Sequence, residues 1–286
     1  MARHLLSFGH GYTARVLSER LMAEGWTVTG TTRSDVKART LAQSGTHVLR
    51  WPEDDLEPAI GAASHILTSV SPDEDKDPVL DAAADLIRQA AGGISWIGYL
   101  STTGVYGDHS GGWVDETTPL NPKSARALRR VAAEKAWLDL GEKTGIPVQI
   151  FRLAGIYGPQ RGPFQKVRAG TAQRVIKENQ FFSRIHVDDI AQVLEASMAR
   201  PNAGAVYNVC DDEPAPPEDV IAYAAELMGL PLPPEIPFEE AEMSPMAREF
   251  YMDSRRVRND RIKDELGVEL LYPDYRAGLN ALAEGL

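Results

Sequence analysis

The chain has one cysteine, Cys210, no excess of positive charge, and no apolar run approaching the ~18 residues of a membrane span. The lone thiol excludes an internal disulfide and any zinc site built on several thiolates. A net charge of −11 argues against sequence-independent nucleic-acid binding, which needs a basic surface to displace counterions. There is no G-x-S-x-G elbow to support a hydrolase, and no internal repeat or low-complexity tract. The opening "MARHLLSFGHGY" enters a strand pattern at once, without the form of a signal peptide. These absences lead us to expect a cytoplasmic monomer or homodimer acting on a small molecule, with no nucleic-acid or membrane partner.

What is present is the composition of an ordinary globular protein, 43% hydrophobic and 25% charged over 286 residues. Strand and helix signals alternate through the first half. "HLLSFG" leads into "YTARVLSERLMAEG", where Ala14, Val16, Leu17 and Leu21 form a helical stripe and Gly25 fits the stop. "WTVTGTT", "THVLRW", "SHILTSV" and "SWIGYLS" read as further strands, interleaved with the helices "DVKARTLAQSG" and "PVLDAAADLIRQAAGG". A long helix from Pro122 precedes the strand "PVQIFRL". Such alternation predicts a parallel sheet with helices on both faces. Beyond Pro159 the loops lengthen, prolines gather, and strand signals such as "AVYNV" become short and isolated.

In "SFGHGYTA", Gly9, Gly11 and Ala14 make a G-x-G-x-x-A pattern directly after a strand and at the start of a helix. The first glycine permits a tight turn, and the second lets backbone approach a pyrophosphate. The small third residue lets helix and strand pack closely. Gly9, Gly11, Tyr12, Thr13 and Ala14 are therefore cofactor-binding candidates, with Ser69 at the end of "SHILTSV"; a turn without a ligand is the alternative. NAD-binding turns usually have an acid at the end of the second strand, but "GTTRS" offers Arg33 and Ser34, with Lys37 one turn on. A guanidinium beside a hydroxyl suits a 2′-phosphate, so NADP(H) is expected over NAD(H), unless Arg33 is a solvated loop residue. The fold class expected is α/β, a Rossmann-type doubly wound parallel sheet with a smaller C-terminal substrate-side region. The NADP-binding domain would cover 1–160, completed by about 184–210, leaving 161–183 and 211–286 to the smaller region.

Nearly end to end, the chain resembles the extended short-chain dehydrogenase/reductase family, the NAD(P)-dependent epimerases and dehydratases. "YLSTTGVYGD", "DETTPLNP", "FRLAGIYGP", "SRIHVDDIA" and "NDRIKDELGVELLYPDYRAGLNAL" carry the likeness. The resemblance implies a Ser or Thr that holds the substrate oxygen, and this maps to Thr102. It also implies backbone near the nicotinamide amide at Leu153, Ala154 and Gly155. It further implies a tyrosine and, four residues on, a lysine, the pair that exchanges a proton with substrate near neutral pH. Those positions hold Arg126 and Arg130, and the helix from Pro122 contains no tyrosine. The chain thus resembles the atypical branch of the family, an oxidoreductase or epimerase-like protein with an eroded active site.

An arginine stays protonated, so it can bind an anion or polarise a carbonyl but not shuttle a proton. Arg126 and Arg130 are read either as an electropositive pocket or as a solvated face in which Arg130 pairs with Glu134 at i+4. Asp73, Glu74, Asp75 and Asp77 are either a solvated loop or internal counter-charges to these arginines. Proton transfer would fall to Tyr106, Asp81 or water. Tyr106 has packing as its alternative role. Asp81 or Asp77 is the nearest match to the family's helix asparagine, Asp81 being preferred because it lies inside the helix. His186, Asp188 and Asp189 suggest a helix start rather than a metal site, and no metal is expected.

Overall fold

The computed structural model describes residues 3–285, the side chain of Met246 excepted. Leu5, Leu6 and Phe8 are fully buried, and apolar residues on both faces of one strand require cover on both sides. That strand, β1 (His4–Phe8), is followed by α1 (Tyr12–Ala23), β2 (Thr27–Thr32), α2 (Asp35–Gln43) and β3 (His47–Arg50). The chain continues through α3 (Glu57–Ala62), β4 (His65–Thr68), α4 (Pro78–Gln89), β5 (Trp96–Thr102) and the short β6 (Trp113–Val114). Next come α5 (Ala125–Thr144), β7 (Val148–Leu153), β8 (Gly155–Tyr157), α6 (Phe164–Arg168), β9 (Arg174–Ile176) and β10 (Arg184–His186). The remainder is α7 (Val187–Ala199), β11 (Val206–Val209), α8 (Pro217–Leu227), β12 (Glu235–Pro237), α9 (Pro245–Phe250), β13 (Arg256–Val257), α10 (Asp260–Leu266) and α11 (Tyr275–Ala283).

Seven parallel strands form one sheet in the order β11-β7-β5-β4-β1-β2-β3. The strand order reverses between β1 and β4, which leaves a crevice at their carboxyl ends where α/β sheets bind ligands. "AVYNV", isolated in sequence, is β11 and completes the sheet beside β7. The long helix starts at Ala125 rather than at Pro122, because Ser124 caps it by accepting the Ala127 N–H. No sequence signal announces α3, six residues of which only Ile60 is buried.

The smaller region has its own core of Tyr157, Phe164, Val220, Ala224, Tyr275 and Leu279. Three two-stranded parallel ladders lie outside the sheet: β8 with β10, β9 with β12 inside the smaller region, and β6 with β13, which ties that region to the segment after β5. Among the described residues no helix is long and apolar enough to cross a membrane.

A Cβ on Gly98 would run into the Trp96 indole ring. That ring cannot swing away freely, since its N–H donates to Gln149 Oε1 (2.6 Å) and Ser197 Oγ (2.9 Å). Gly98→Ala should therefore lower stability by about 1–3 kcal/mol through overpacking. Urea denaturation measures this, and an unchanged midpoint would mean that the ring yields.

Candidate active site

The turn after β1 accepts only small residues. Gly9 has φ +71°, and a Cβ on it would lie 2.9 Å from Val70 Cγ2 and 3.1 Å from Ser69 Oγ. Its N–H donates to Thr31 Oγ1 (2.9 Å), and the His10 N–H donates to the Thr31 carbonyl (3.0 Å). Ser69 in turn donates to the Gly9 carbonyl. Gly11 caps α1 with no side chain, and the first turn of α1 contains no acid. By contrast α2, α4 and α5 are capped by Ser34, Asp77 and Ser124. The opening amides of α1 are therefore left for a ligand, with the positive end of the helix dipole behind them. A cradle that a Cβ would fill and a helix start without a competing acceptor fit the pyrophosphate of a dinucleotide.

His10, between the two glycines, went unnoticed in the sequence. Its ring packs on Gly30 of β2, where a Cβ would fall 2.6 Å from His10 Cγ. Burial pushes its pKa down to about 4, so the ring is neutral beside the turn at ordinary pH.

At the end of β2, Arg33 is exposed and Asp35 is held by Arg50, the two forming an ion pair. The acid nearest to Arg33 in sequence is thus neutralised from β3. Ser34 is occupied in part as the cap of α2, accepting the Lys37 N–H, and Lys37 is exposed.

A cleft of about 1200 Å³ runs from Thr13 and Ser69 past Thr102 to α9 and the neighbouring C-terminal segment. Leu153, Ala154 and Gly155 line it where β7 passes into β8. Among the described residues, seven of its lining side chains are cationic and three are carboxylates. The chain as a whole has 30 Lys and Arg against 41 Asp and Glu, so the cleft reverses the charge balance of the protein.

Arg126 and Arg130 both line the cleft but differ in setting. Arg126 is exposed on the first turn of α5, whereas Arg130 is 7% exposed. The Arg130 guanidinium donates to the Leu100 carbonyl (2.7 Å), Tyr99 Oη (3.1 Å) and Ser71 Oγ (2.7 Å), all neutral. The i,i+4 pair with Glu134 is not made, because Arg152 (2.8 Å) and the Ser101 hydroxyl occupy that carboxylate. Among the described residues none of the acids after β4 forms an ion pair with Arg126 or Arg130, although the charge of Arg130 acts on the buried Asp77. Asp73 accepts backbone N–H groups of Asp75 and Lys76, and Asp77 caps α4 and accepts from Trp137.

Two proton-donor candidates lie outside the cleft. Tyr106 is fully buried; its hydroxyl accepts from Arg152 (2.9 Å) and donates to Asn208 Oδ1 (2.7 Å), and burial pushes its phenol up to about 12. Asp81 faces solvent and pairs with Lys76 at 2.6 Å. The turn that follows β5 points Tyr106 inward, and the outer face of α4 holds Asp81 away from the cleft.

Thr102 lines the cleft and its Oγ1 accepts the Gly104 N–H (3.1 Å), leaving its own hydrogen free to donate. Facing it is Arg255, which sequence reasoning missed. Its Nη1 is tied to the Gly107 carbonyl (2.8 Å) and Asp253 (3.2 Å). Its Nη2 lies 3.9 Å from the point a Gly104 Cβ would occupy, and Thr102 Oγ1 lies 3.4 Å from that point. Thr102 and Arg255 thus converge on one small space, from β5 and from the segment before β13.

Residues 8–210 match the NAD dependent epimerase/dehydratase family. Protein YeeZ of Escherichia coli (strain K12) is 32% identical, over 93% of this chain and 95% of that protein. A 3-diazoavenalumate denitrifying reductase of Streptomyces sp is 28% identical over 58% of each chain. Among solved structures, a functionally unknown conserved protein from Silicibacter pomeroyi DSS superposes with a TM-score of 0.94 at 57% identity, covering 99% of each chain. A dTDP-glucose 4,6-dehydratase from Bacillus anthracis, in complex with NAD, shares the fold (TM-score 0.81) at 17% identity, covering 99% of this chain and 96% of that one.

Proposed function

Since the chain belongs to the NAD-dependent epimerase/dehydratase family, we propose that it is an atypical NADP(H)-dependent oxidoreductase. Its substrate on this reading is a small carbonyl or hydroxyl compound with an anionic group. One observation carries the reading. A single cleft joins the glycine turn to Thr102 and is lined by seven cationic side chains against three carboxylates.

Bound NADP(H) would supply hydride chemistry at this site. Arg33 would hold the 2′-phosphate, and the amides opening α1 would hold the pyrophosphate. Thr102 and Arg255 would orient the substrate oxygen, each donating a hydrogen bond where charge develops. Arg126, exposed at the mouth, would receive the anionic group, and Arg130 would contribute a fixed positive charge from beneath. Tyr106 is turned inward and Asp81 lies in solvent. Burial pushes the phenols that line the cleft, Tyr157, Tyr251 and Tyr275, above their usual range and makes them poor acids, so water in the cleft would supply the proton. The pH profile of kcat/KM should therefore lack the limb near neutrality that a tyrosine–lysine pair produces.

A panel of small carbonyl compounds with NADPH, followed by absorbance at the nicotinamide band, tests the activity. Thr102→Val should reduce turnover roughly a hundredfold, and Gly104→Ala should do the same by placing a methyl in the space between Thr102 and Arg255. A Cβ at Gly104 meets nothing closer than 3.4 Å, so that variant should fold and bind cofactor normally. Full turnover in both variants would contradict the role given to Thr102.

The commitment of Tyr106 and of the Arg130 donors to buried partners also favours a second reading, a non-catalytic protein that responds to NADP(H). Tight NADPH binding with no oxidation across the panel would select it.

A further inference from the structure

Resting on the assignment of the glycine turn to a dinucleotide, we propose that Arg161 clamps the cofactor pyrophosphate from across the turn, braced by Tyr12. Four residues after β8 fold back on themselves, with the Gly158 N–H donating to the Arg161 carbonyl (2.8 Å) and the Arg161 N–H to the Gly158 carbonyl (3.0 Å). This tight turn is docked on the first residue of α1. The Tyr12 hydroxyl donates to the Pro159 carbonyl at 2.9 Å. A Cβ on Gly158 would lie 2.6 Å from that hydroxyl, so the approach requires glycine there. The Arg161 guanidinium carbon sits 5.5 Å from the Tyr12 ring centroid.

Arg161 is exposed, lines the cleft together with Thr13, and among the described residues has no carboxylate within ion-pair distance. A planar cation held against an aromatic face keeps its fork of N–H donors in order, which suits two oxygens of a phosphate. The amides opening α1 approach the pyrophosphate from one side, and Arg161 closes it from the other. The clamp comes from the segment after β8, not from the glycine turn itself, so it couples cofactor binding to the smaller region.

The pyrophosphate is common to NADPH and NADH, whereas Arg33 faces only the phosphate that distinguishes them. Calorimetric titration of the full chain with NADPH, NADH and adenosine 2′-monophosphate separates the two roles. Arg161→Gln should weaken both dinucleotides by a similar factor, roughly tenfold, and leave adenosine 2′-monophosphate unchanged. Arg161→Lys should recover part of the loss, and Tyr12→Phe should show a smaller loss in the same direction. The clamp is overturned if Arg161→Gln binds both dinucleotides as tightly as the unsubstituted chain, or weakens the monophosphate equally. An Arg161 effect intact in a chain that prefers NADH would refute the NADP(H) preference alone. Failure of the unsubstituted chain to bind either dinucleotide would overturn both.

Discussion

Arg152→Met should lower the free energy of unfolding by about 3–5 kcal/mol. Arg152 on β7 and Glu134 on α5 are 5% and 3% exposed. The guanidinium reaches Glu134 through Nη2 (2.8 Å) and Nε (3.3 Å to each oxygen), and Nη1 donates to the Tyr106 hydroxyl. Removing it strands a carboxylate whose remaining partner is the Ser101 hydroxyl. A buried charge without its counter-ion costs far more than the pair contributes, so the double variant Arg152→Met, Glu134→Leu should recover most of the loss. Urea denaturation of the three variants measures this; a single-variant loss under about 1 kcal/mol would place the network nearer to water than its burial indicates. Ser101 precedes Thr102, so this network lies directly beneath the Thr102 end of the cleft, and it engages the Tyr106 hydroxyl through Arg152.

Arg33→Ala should weaken NADPH binding by roughly ten- to a hundredfold, the range of a charge-assisted hydrogen bond to phosphate, while changing NADH binding less than twofold. The selectivity follows from the pairing of Asp35 with Arg50, which removes the nearest acid and leaves Arg33 facing solvent. Fluorescence titration with both cofactors measures it. An equal loss for both would mean that Arg33 supports the loop and does not read the phosphate.

The sheet was legible because buried parallel strands leave continuous apolar runs, as in "HLLSFG" and "SWIGYLS". The short ladders outside the sheet were not, since pairs of two or three residues leave no period to detect. Spacing along α5 offered Glu134 to Arg130, but Arg152, eighteen residues on, took it in the fold. Likewise Tyr106 was ambiguous because its partners, Arg152 and Asn208, lie 46 and 102 residues away. The glycine turn declared itself through local backbone demands that only glycine meets. Arg161 and Arg255 did not, because nothing beside them in sequence hints at Tyr12 or Gly104.

Diffraction from crystals grown with NADPH tests the cofactor and relay assignments together. The expected density places the adenosine 2′-phosphate against Arg33, the pyrophosphate over the start of α1, and the Arg130 guanidinium beneath the nicotinamide half with no phenol against the ring. Cofactor bound with its 2′-phosphate away from Arg33, or a tyrosine hydroxyl poised over the nicotinamide, would contradict them.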